Sequence, residues 1–225
     1  MTVSTGVPSG WPPGGALTVS SLSFASCYVY APRAAGVLAE VSRRICERVK
    51  TIDALWLPGY ARFVYQATLC DARLAAVFAR DVTLVPVPGS ARSGAAPWPA
   101  LQLALAMSAV GLALPVWAGL RRQVAVRKSA TAPSAARPSV RQHFESFQVA
   151  APPSALRRIV LIDDVVTKGR TLLAAAARLQ AELPSVDVRA FALIRTQGFL
   201  PHLDHLTESC HGIIRWAGGD ARREP

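Results

Sequence analysis

The sequence has few cysteines and histidines, and none of them has the spacing that a metal site requires. The four cysteines stand far apart in the chain, at Cys27, Cys46, Cys70 and Cys210. Three of the four histidines gather near the C-terminus without the spacing of paired ligands: His202, His205 and His211. These absences exclude a zinc module of the usual cysteine and histidine type. So few cysteines also suit a reducing compartment, and we expect a cytoplasmic protein.

The chain is also poor in acids and in lysine. It carries 25 Lys and Arg against 14 Asp and Glu, which gives a formal net charge of +11, and only Lys50, Lys128 and Lys168 are lysines. A genome composition that favours arginine and alanine is one explanation of this balance. An anionic partner is the other, namely a phosphate-rich substrate, a nucleic acid or an acidic protein. The two explanations are compatible, and the sequence leaves both open.

Long apolar runs are nearly absent, and the one exception is Leu101–Leu120, which has the length of a membrane span. Gly111 and Pro115 favour a different interpretation, because both interrupt a continuous helix. We therefore predict a buried helix through Val110, a turn at Gly111 and a short strand over Leu114–Trp117. The N-terminus lacks a cationic start followed by an apolar run, so we expect neither a secretory signal nor a membrane association.

Apolar runs that favour strands alternate along the chain with segments of helical periodicity. The predicted strands are Ser21–Tyr30, Asp81–Val87, Leu114–Trp117, Phe144–Val149, Arg157–Ile162, Val186–Ile194 and Gly212–Trp216. The predicted helices are Ala34–Lys50, Tyr60–Arg80, Pro97–Val110 and Arg170–Leu183. This alternation predicts an α/β fold with a central, mostly parallel sheet flanked by helices. The chain divides into a flexible lead-in at 1–20, an N-terminal strand and helices at 21–80, a main domain at 81–216 and a charged tail at 217–225.

One segment, Leu120–Gln142, is rich in cations and contains no acid. Its cations are Arg121, Arg122, Arg127, Lys128, Arg137 and Arg141. Serine, threonine, alanine and proline separate them. Because a loop of this length within a compact domain is usually functional or disordered, we predict a mobile, basic loop.

The strongest chemical signal is the segment Arg158–Leu172, which reads RIVLIDDVVTKGRTL. An apolar strand delivers Asp163 and Asp164 to its carboxyl end, where open α/β sheets bind ligands. Two carboxylates next to a core are costly to leave without a role. The following loop runs into the N-terminus of a helix, where backbone N–H groups and the helix dipole suit a phosphate. This loop also brings hydroxyls, a glycine and positive charge, from Thr167, Lys168, Gly169, Arg170 and Thr171.

The stretch IDDVVTKGRT resembles the signature of type I phosphoribosyltransferases, in which two acids and two apolar residues precede a Thr/Gly phosphate loop. Leu84–Pro88, LVPVP, is similar to the strand and pyrophosphate loop that open the catalytic domain of the ComF-type branch. The basic segment lies where these enzymes carry a flexible lid, and Phe144–Val149 resembles the strand before the signature. The resemblance covers roughly residues 81–196 and implies the type I phosphoribosyltransferase fold, with a lid and with a small hood at 21–80 or 197–216.

The chain departs from this family's pattern at three places. ComF-type proteins usually begin with a cysteine-rich zinc module, which is missing here. The loop after LVPVP, Gly89–Gly94, holds a single cation, Arg92. The phosphate loop has Lys168 and Arg170 where the family more often has uncharged residues.

The resemblance implies a site for phosphoribosyl pyrophosphate and Mg²⁺. Asp163 and Asp164 would hold the ribose hydroxyls, directly or through Mg²⁺. The implied ligands of the 5′-phosphate are Thr167, Lys168, Gly169, Arg170 and Thr171. Those of the pyrophosphate are Pro88, Gly89 and Ser90, with Arg127 and Lys128 closing over it from the lid.

The implied activity is transfer of the phosphoribosyl group to a nitrogen nucleophile, with release of pyrophosphate. The alternative is a non-catalytic regulator of the same fold, or a subunit of a nucleic-acid-associated complex of the competence or defence type. The net charge of +11 and the basic segment at 121–141 favour this alternative, because an ordinary salvage enzyme does not need so much positive charge. Either function is compatible with a homodimer.

Overall fold

The structure is a computed structural model that describes residues 17, 19–94, 98–112, 114–128, 136–154 and 156–225. The predicted lead-in at 1–20 lies outside these residues, apart from Leu17, Val19 and Ser20. Residues 129–135 of the predicted basic loop also lie outside them. Leu17 and Val19 are buried in the main core, so the chain already packs against the domain before the first strand.

The described residues form eight strands and six α-helices. The strands are β1 Ser21–Tyr30, β2 Val82–Pro86, β3 Leu120–Arg122, β4 Phe147–Val149, β5 Arg158–Val166, β6 Asp187–Thr196, β7 Thr207–Ala217 and β8 Asp220–Glu224. The helices are α1 Val37–Lys50, α2 Leu57–Cys70, α3 Ala72–Val77, α4 Pro99–Met107, α5 Val140–Ser146 and α6 Arg170–Glu182. The predicted α/β alternation is confirmed.

Six strands form the central sheet in the order β2-β5-β6-β1-β7-β8, and the first four of these run parallel. The hairpin β7–β8 continues the sheet antiparallel to β1. β1 therefore lies inside the sheet, between β6 and β7. The interval 21–80, which we considered as a hood, supplies this inner strand and helices α1–α3, and so is continuous with the main domain.

Helices cover both faces of the sheet, as the mostly parallel strand order requires. Helices α1–α4 pack on one face, around residues such as Val64, Leu103 and Phe191. The other face carries α5 and α6. Alanines at 174–177 of α6 are all buried, and these small side chains let the helix lie close to the strands beneath it. The core thus fixes where α6 begins, and with it the loop from β5.

The prediction of one continuous helix over Tyr60–Arg80 is wrong, because the structure has two helices there, α2 and α3, which are separated at Asp71. The Asp71 carboxylate accepts hydrogen bonds from the backbone N–H of Arg73 at 2.9 Å and of Leu74 at 3.1 Å, so it caps α3. The same carboxylate lies 2.9 Å from Nε2 of His211 on β7. This bond lowers the pKa of Asp71 and ties α3 to the antiparallel hairpin.

The apolar segment 101–120 contains the predicted helix and turn, but residues 114–117 form a single β-bridge where we predicted a short strand. After α4 comes a π-helical turn, Ser108–Leu112, in which Gly111 takes a φ of +135° that favours glycine. Val116 then forms a parallel bridge with Leu84 of β2. None of the helices in the described residues has both the length and the apolar content needed to cross a membrane.

The predicted loop over Leu120–Gln142 begins and ends in regular structure. β3 pairs antiparallel with β4, and Ser139 caps α5 together with Gln142. The prediction of a strand over Phe144–Val149 is correct only for Phe147–Val149, since the first three residues finish α5. The basic segment thus lies between β3, which pairs with β4 in a separate two-stranded sheet, and the capped helix α5.

The C-terminal segment is more ordered than the sequence indicated. The strand predicted at Gly212–Trp216 extends over all of β7, and it is not an edge strand because β8 pairs beyond it. Residues 217–225, interpreted as a charged tail, contain a turn at Gly218 and Gly219 and then β8. β8 is the edge strand at this end of the sheet, and its first residue, Asp220, contacts the phosphate loop described below.

Candidate functional site

A cleft of about 460 Å³ lies where the carboxyl ends of the four parallel strands meet. Tyr30 ends β1, Thr196 ends β6, and the loop 88–90 follows β2. Asp163–Thr171, from the end of β5 to the start of α6, forms one wall. This is the position at which open α/β sheets place ligands, and the volume suits a small molecule.

The acid pair lies within the last residues of β5, since the strand continues to Val166 rather than ending at Ile162 as predicted. Oδ1 of Asp163 accepts from the backbone N–H of Asp164 at 3.0 Å, and Oδ1 of Asp164 accepts from that of Val165 at 2.9 Å. Burial, and then the neighbouring charge of Asp164, raises the pKa of Asp163 well above its ordinary value. Two mutually repelling carboxylates in a partly buried position favour a bound cation.

The donor set of this pair fits one cation in particular. In the part of the chain that the structure describes, no group of three or more His, Cys, Asp or Glu side chains forms a metal cluster. Mg²⁺ does not need one, because it is commonly held by one or two carboxylates together with substrate phosphates and water. Asp163 and Asp164 therefore suit an Mg²⁺ ion that arrives with a phosphorylated ligand.

The loop 167–171 has the geometry of a phosphate cradle. Gly169, with φ +84°, is the last residue before α6, and a Cβ there would lie 2.6 Å from the side chain of Ile214. Only glycine fits this turn, which leads directly into the first turn of α6. The backbone N–H groups of that turn have no acceptor within the helix. Thr167 and Thr171 add hydroxyls, and Thr167 Oγ1 lies 3.1 Å from Thr196 Oγ1 on the neighbouring strand.

The two cations of this loop are partly neutralised by an acid that the sequence did not indicate. Arg170 donates through Nε and Nη2 to the two carboxylate oxygens of Asp220, at 2.5 and 2.6 Å. Lys168 Nζ lies 3.5 Å from Oδ2 of the same residue. The phosphate loop is consequently less positive than its sequence suggests.

A buried arginine, Arg122, supports the loop 88–90. Its guanidinium donates to the carbonyl oxygens of Pro88 and Gly89 and to the hydroxyl of Ser146, and it stacks 4.3 Å from the ring centre of Phe147. Burial lowers its pKa to about 10, although Asp163 opposes that shift, so the group stays protonated at neutral pH. Arg122 thereby brings positive charge to a loop that has little of its own.

His143 connects Arg122 to the phosphate loop. Its Nδ1 lies 3.4 Å from Nη2 of Arg122, and its Nε2 lies 3.5 Å from Oγ1 of Thr171. Burial, together with the charges of Arg122 and Arg170, lowers the pKa of His143 to about 3, so the ring is neutral. Since a guanidinium only donates, Nδ1 is the acceptor and the single ring proton is on Nε2. Nε2–H of His143 therefore donates the hydrogen bond, and Thr171 Oγ1 accepts it, so the hydroxyl of Thr171 can still donate to a ligand.

The cleft as a whole is strongly cationic. Six of its lining residues are Lys or Arg, against two acids, Asp163 and Asp164. The cations are Arg33, Lys50, Arg122, Arg137, Lys168 and Arg170. A site of this charge suits a ligand with several negative charges, and its two acids lie together at one wall.

The structure brings together most of the predicted site residues but not all of them. Pro88, Gly89, Ser90, the two acids and the whole loop 167–171 line one cleft. Arg127 and Lys128, predicted to close over it, do not line it. Arg127 instead lines an adjacent cavity of about 600 Å³, which is formed by residues 124–127, 136–138, 142, 145 and 146.

Several residues that line the cleft or contact its phosphate loop were missed from the sequence because they come from distant segments. Lys50 ends α1, Arg122 ends β3, His143 lies in α5 and Asp220 begins β8. Each is an ordinary residue within its own segment. Only the tertiary fold brings Lys50, Arg122 and His143 to the cleft and Asp220 to the loop 167–171. The one local signal was rarity, since Lys50 is one of three lysines in the chain. In comparisons with known proteins, no protein-family model matches this sequence, and no curated protein matches it at a significant level.

Proposed function

We propose that this protein is a phosphoribosyltransferase of the type I fold, which binds phosphoribosyl pyrophosphate with Mg²⁺ and transfers the phosphoribosyl group to a nitrogen nucleophile. One observation carries the proposal. The acid pair and the phosphate loop line a single cleft with the distant loop 88–90, and four further cations from other segments line it too. Phosphoribosyl pyrophosphate has a diol, a phosphate and a pyrophosphate, and these match the three parts of the cleft.

Each part of the ligand has a partner in this arrangement. Asp163 and Asp164 accept from the ribose hydroxyls or hold Mg²⁺, which neutralises phosphate charge when bound. The 5′-phosphate lies at the N-terminus of α6, against the N–H groups of the loop and the hydroxyl of Thr171. The pyrophosphate lies beside Pro88–Ser90, where Arg122 and Lys50 supply positive charge.

The reaction requires no protein nucleophile. The lone pair of the acceptor nitrogen forms the new bond to C1 of the ribose, the bond from C1 to the pyrophosphate oxygen breaks, and its electron pair leaves with pyrophosphate. The acceptor nitrogen loses a proton to balance the charge. Positive groups placed around the departing pyrophosphate lower the barrier, because negative charge accumulates there in the transition state.

Two loops beside the cleft form a candidate hood for the acceptor. The backbone N–H of Ala35 donates to the carbonyl oxygen of Pro201 at 3.0 Å, which joins the loop after β1 to the loop after β6. The guanidinium of Arg33 lies 5.5 Å from the ring centre of Phe199, which is 91% exposed. Because Arg33 also lines the cleft, an acceptor bound under these loops would lie next to C1 of the ribose.

The test is release of pyrophosphate. We expect the protein, incubated with phosphoribosyl pyrophosphate, Mg²⁺ and a panel of nucleobases and amines, to release pyrophosphate with at least one acceptor faster than without it. The acceptor-free reaction is the control, since it measures hydrolysis alone. Binding of phosphoribosyl pyrophosphate without acceptor-dependent release from a broad panel would contradict the transferase.

The position of Arg127 favours a second candidate, a nucleic-acid-binding protein of the same fold. Arg127 lines a cavity outside the cleft, and Arg121 on β3 and Arg141 on α5 are exposed. In a titration with duplex and single-stranded nucleic acid, this candidate predicts an affinity that falls steeply as salt rises, because phosphate contacts release counterions. Absent or salt-independent binding would contradict it.

A further inference from the structure

The last strand of the chain contacts the phosphate loop through a carboxylate. Asp220 is the first residue of β8, and its backbone position is fixed by the turn at 218–219 and by pairing with Ala217. The hairpin also packs on the loop itself, since Ile214 of β7 fills the space beside Gly169. Asp220 therefore reaches the phosphate loop from a rigid part of the sheet.

The contact between Asp220 and Arg170 is bidentate, and it uses most of the guanidinium. Nε and Nη2 of Arg170 donate to the two carboxylate oxygens, and Nη1 lies 3.4 Å from the carbonyl oxygen of Pro138. The pair is partly shielded, because the side chain of Arg170 is 19% exposed and that of Asp220 is 35% exposed. Arg170 thus lines the cleft with its hydrogen bonds already directed to protein acceptors.

The same carboxylate also lies near Lys168, the other cation of the loop. A ligand phosphate at the N-terminus of α6 approaches two cations that are both paired with one fixed negative charge. A phosphate and a carboxylate compete for the same N–H donors, and like charges at this range repel each other. The loop's N–H groups and hydroxyls are not involved in this pairing, so they bind a phosphate whether or not Asp220 is present.

We propose that Asp220 is a built-in competitor of the ligand phosphate, which holds Arg170 and Lys168 away from it and so weakens phosphate binding in the cleft. This inference rests on the proposed function, because it assumes that a phosphate occupies the loop 167–171. The role of β8 is then to lower the phosphate affinity of the cleft, whose lining has six cations and two acids.

The test is the affinity for ribose 5-phosphate, measured by calorimetric titration of the wild-type protein and of Asp220→Asn. Asparagine has nearly the same shape and keeps an oxygen for the Nε–H of Arg170, so the hairpin is expected to remain folded. We expect the variant to bind about fivefold more tightly, and the gain to shrink at high salt. Asp220→Glu, which keeps the charge, should bind like the wild type. Should Asp220→Asn be unstable, Asp220→Ser removes the same charge and must change the affinity in the same direction.

The matched control is Asp187→Asn. Asp187 also lies between two arginines, Arg158 and Arg189, but at the opposite end of the sheet, so its removal alters the net charge equally without touching the cleft. Equal or weaker binding by Asp220→Asn, or an equal gain in Asp187→Asn, would overturn the inference. If ribose 5-phosphate bound neither to the wild-type protein nor to Asp220→Asn, the proposed function itself would fail.

Discussion

The double variant Asp163→Asn, Asp164→Asn is expected to lose the binding of phosphoribosyl pyrophosphate, with an affinity at least about a hundredfold weaker. Two ionised carboxylates that accept from a diol, or that hold Mg²⁺ beside the pyrophosphate, make charge-assisted contacts which an amide replaces poorly. The measurement is equilibrium dialysis with labelled phosphoribosyl pyrophosphate in the presence of Mg²⁺.

The same variant is not expected to unfold the protein. The pKa of Asp163 is higher in the folded state than in the unfolded state. The folded protein is therefore destabilised as pH rises from the unfolded-state pKa of Asp163 toward its folded-state pKa, because ionising the buried carboxyl costs free energy. At neutral pH, Asp163→Asn removes that cost, and the free energy of unfolding should stay level or rise. Such a gain is the usual mark of a residue kept for function rather than stability.

The matched control for charge is the double variant Asp81→Asn, Asp187→Asn. These two acids pair with Arg158 at the amino end of the strands, away from the cleft. Both double variants change the net charge by the same amount, so a general electrostatic effect would weaken or strengthen binding equally in both. Equal affinity in the two double variants would remove Asp163 and Asp164 from the site.

Replacing Arg122 by Met is expected to cost about 3 kcal/mol in the free energy of unfolding. Arg122 is only 2% exposed, and its guanidinium binds the carbonyl oxygens of Pro88 and Gly89 and the hydroxyl of Ser146. Methionine fills much of the volume but leaves these acceptors without donors in a buried place. For a chain of this size, the expected loss corresponds to a fall of about 6–12 °C in Tm.

Loss of Arg122 is also expected to weaken pyrophosphate binding, because it removes both the charge beside Asp163 and the support of the loop 88–90. Arg121→Met is the control, since Arg121 precedes it on β3, has the same charge and is exposed. Thermal unfolding and pyrophosphate titration of the two variants give the comparison. Similar Tm values for Arg121→Met and Arg122→Met would contradict the structural role assigned to Arg122.

The sequence could predict those parts of the site whose residues lie in one continuous segment of the chain. The run from Ile159 to Thr171 contains the strand, the acids and the turn at Gly169 in order, so its local structure and its chemistry follow from neighbouring residues. The position of this run at the carboxyl edge of a parallel sheet followed as well, because alternating strands and helices leave few other arrangements.

The missing parts depend on contacts across the chain. Arg122 and Arg121 are indistinguishable in sequence, and only the pairing of β3 with β4 buries one and exposes the other. Asp220 lies in a charged stretch that resembles a tail, yet backbone pairing with Ala217 makes it a strand residue. The strand predicted to begin at Phe144 was wrong over Phe144–Ser146, because a segment of three residues is too short for its apolar pattern to distinguish a helix end from a strand.

Amide NMR of the wild-type protein, titrated with phosphoribosyl pyrophosphate and Mg²⁺, tests the central claim most directly because it shows where the ligand binds. We predict the largest shifts at the backbone N–H groups of Lys168–Leu172 and of Gly89, with smaller ones at Asp164 and Val165. If all these shifts follow the same binding curve, with one dissociation constant, the ligand binds at a single site. Unchanged signals in Lys168–Leu172, or shifts confined to the basic segment 121–141, would contradict the claim that this cleft binds phosphoribosyl pyrophosphate.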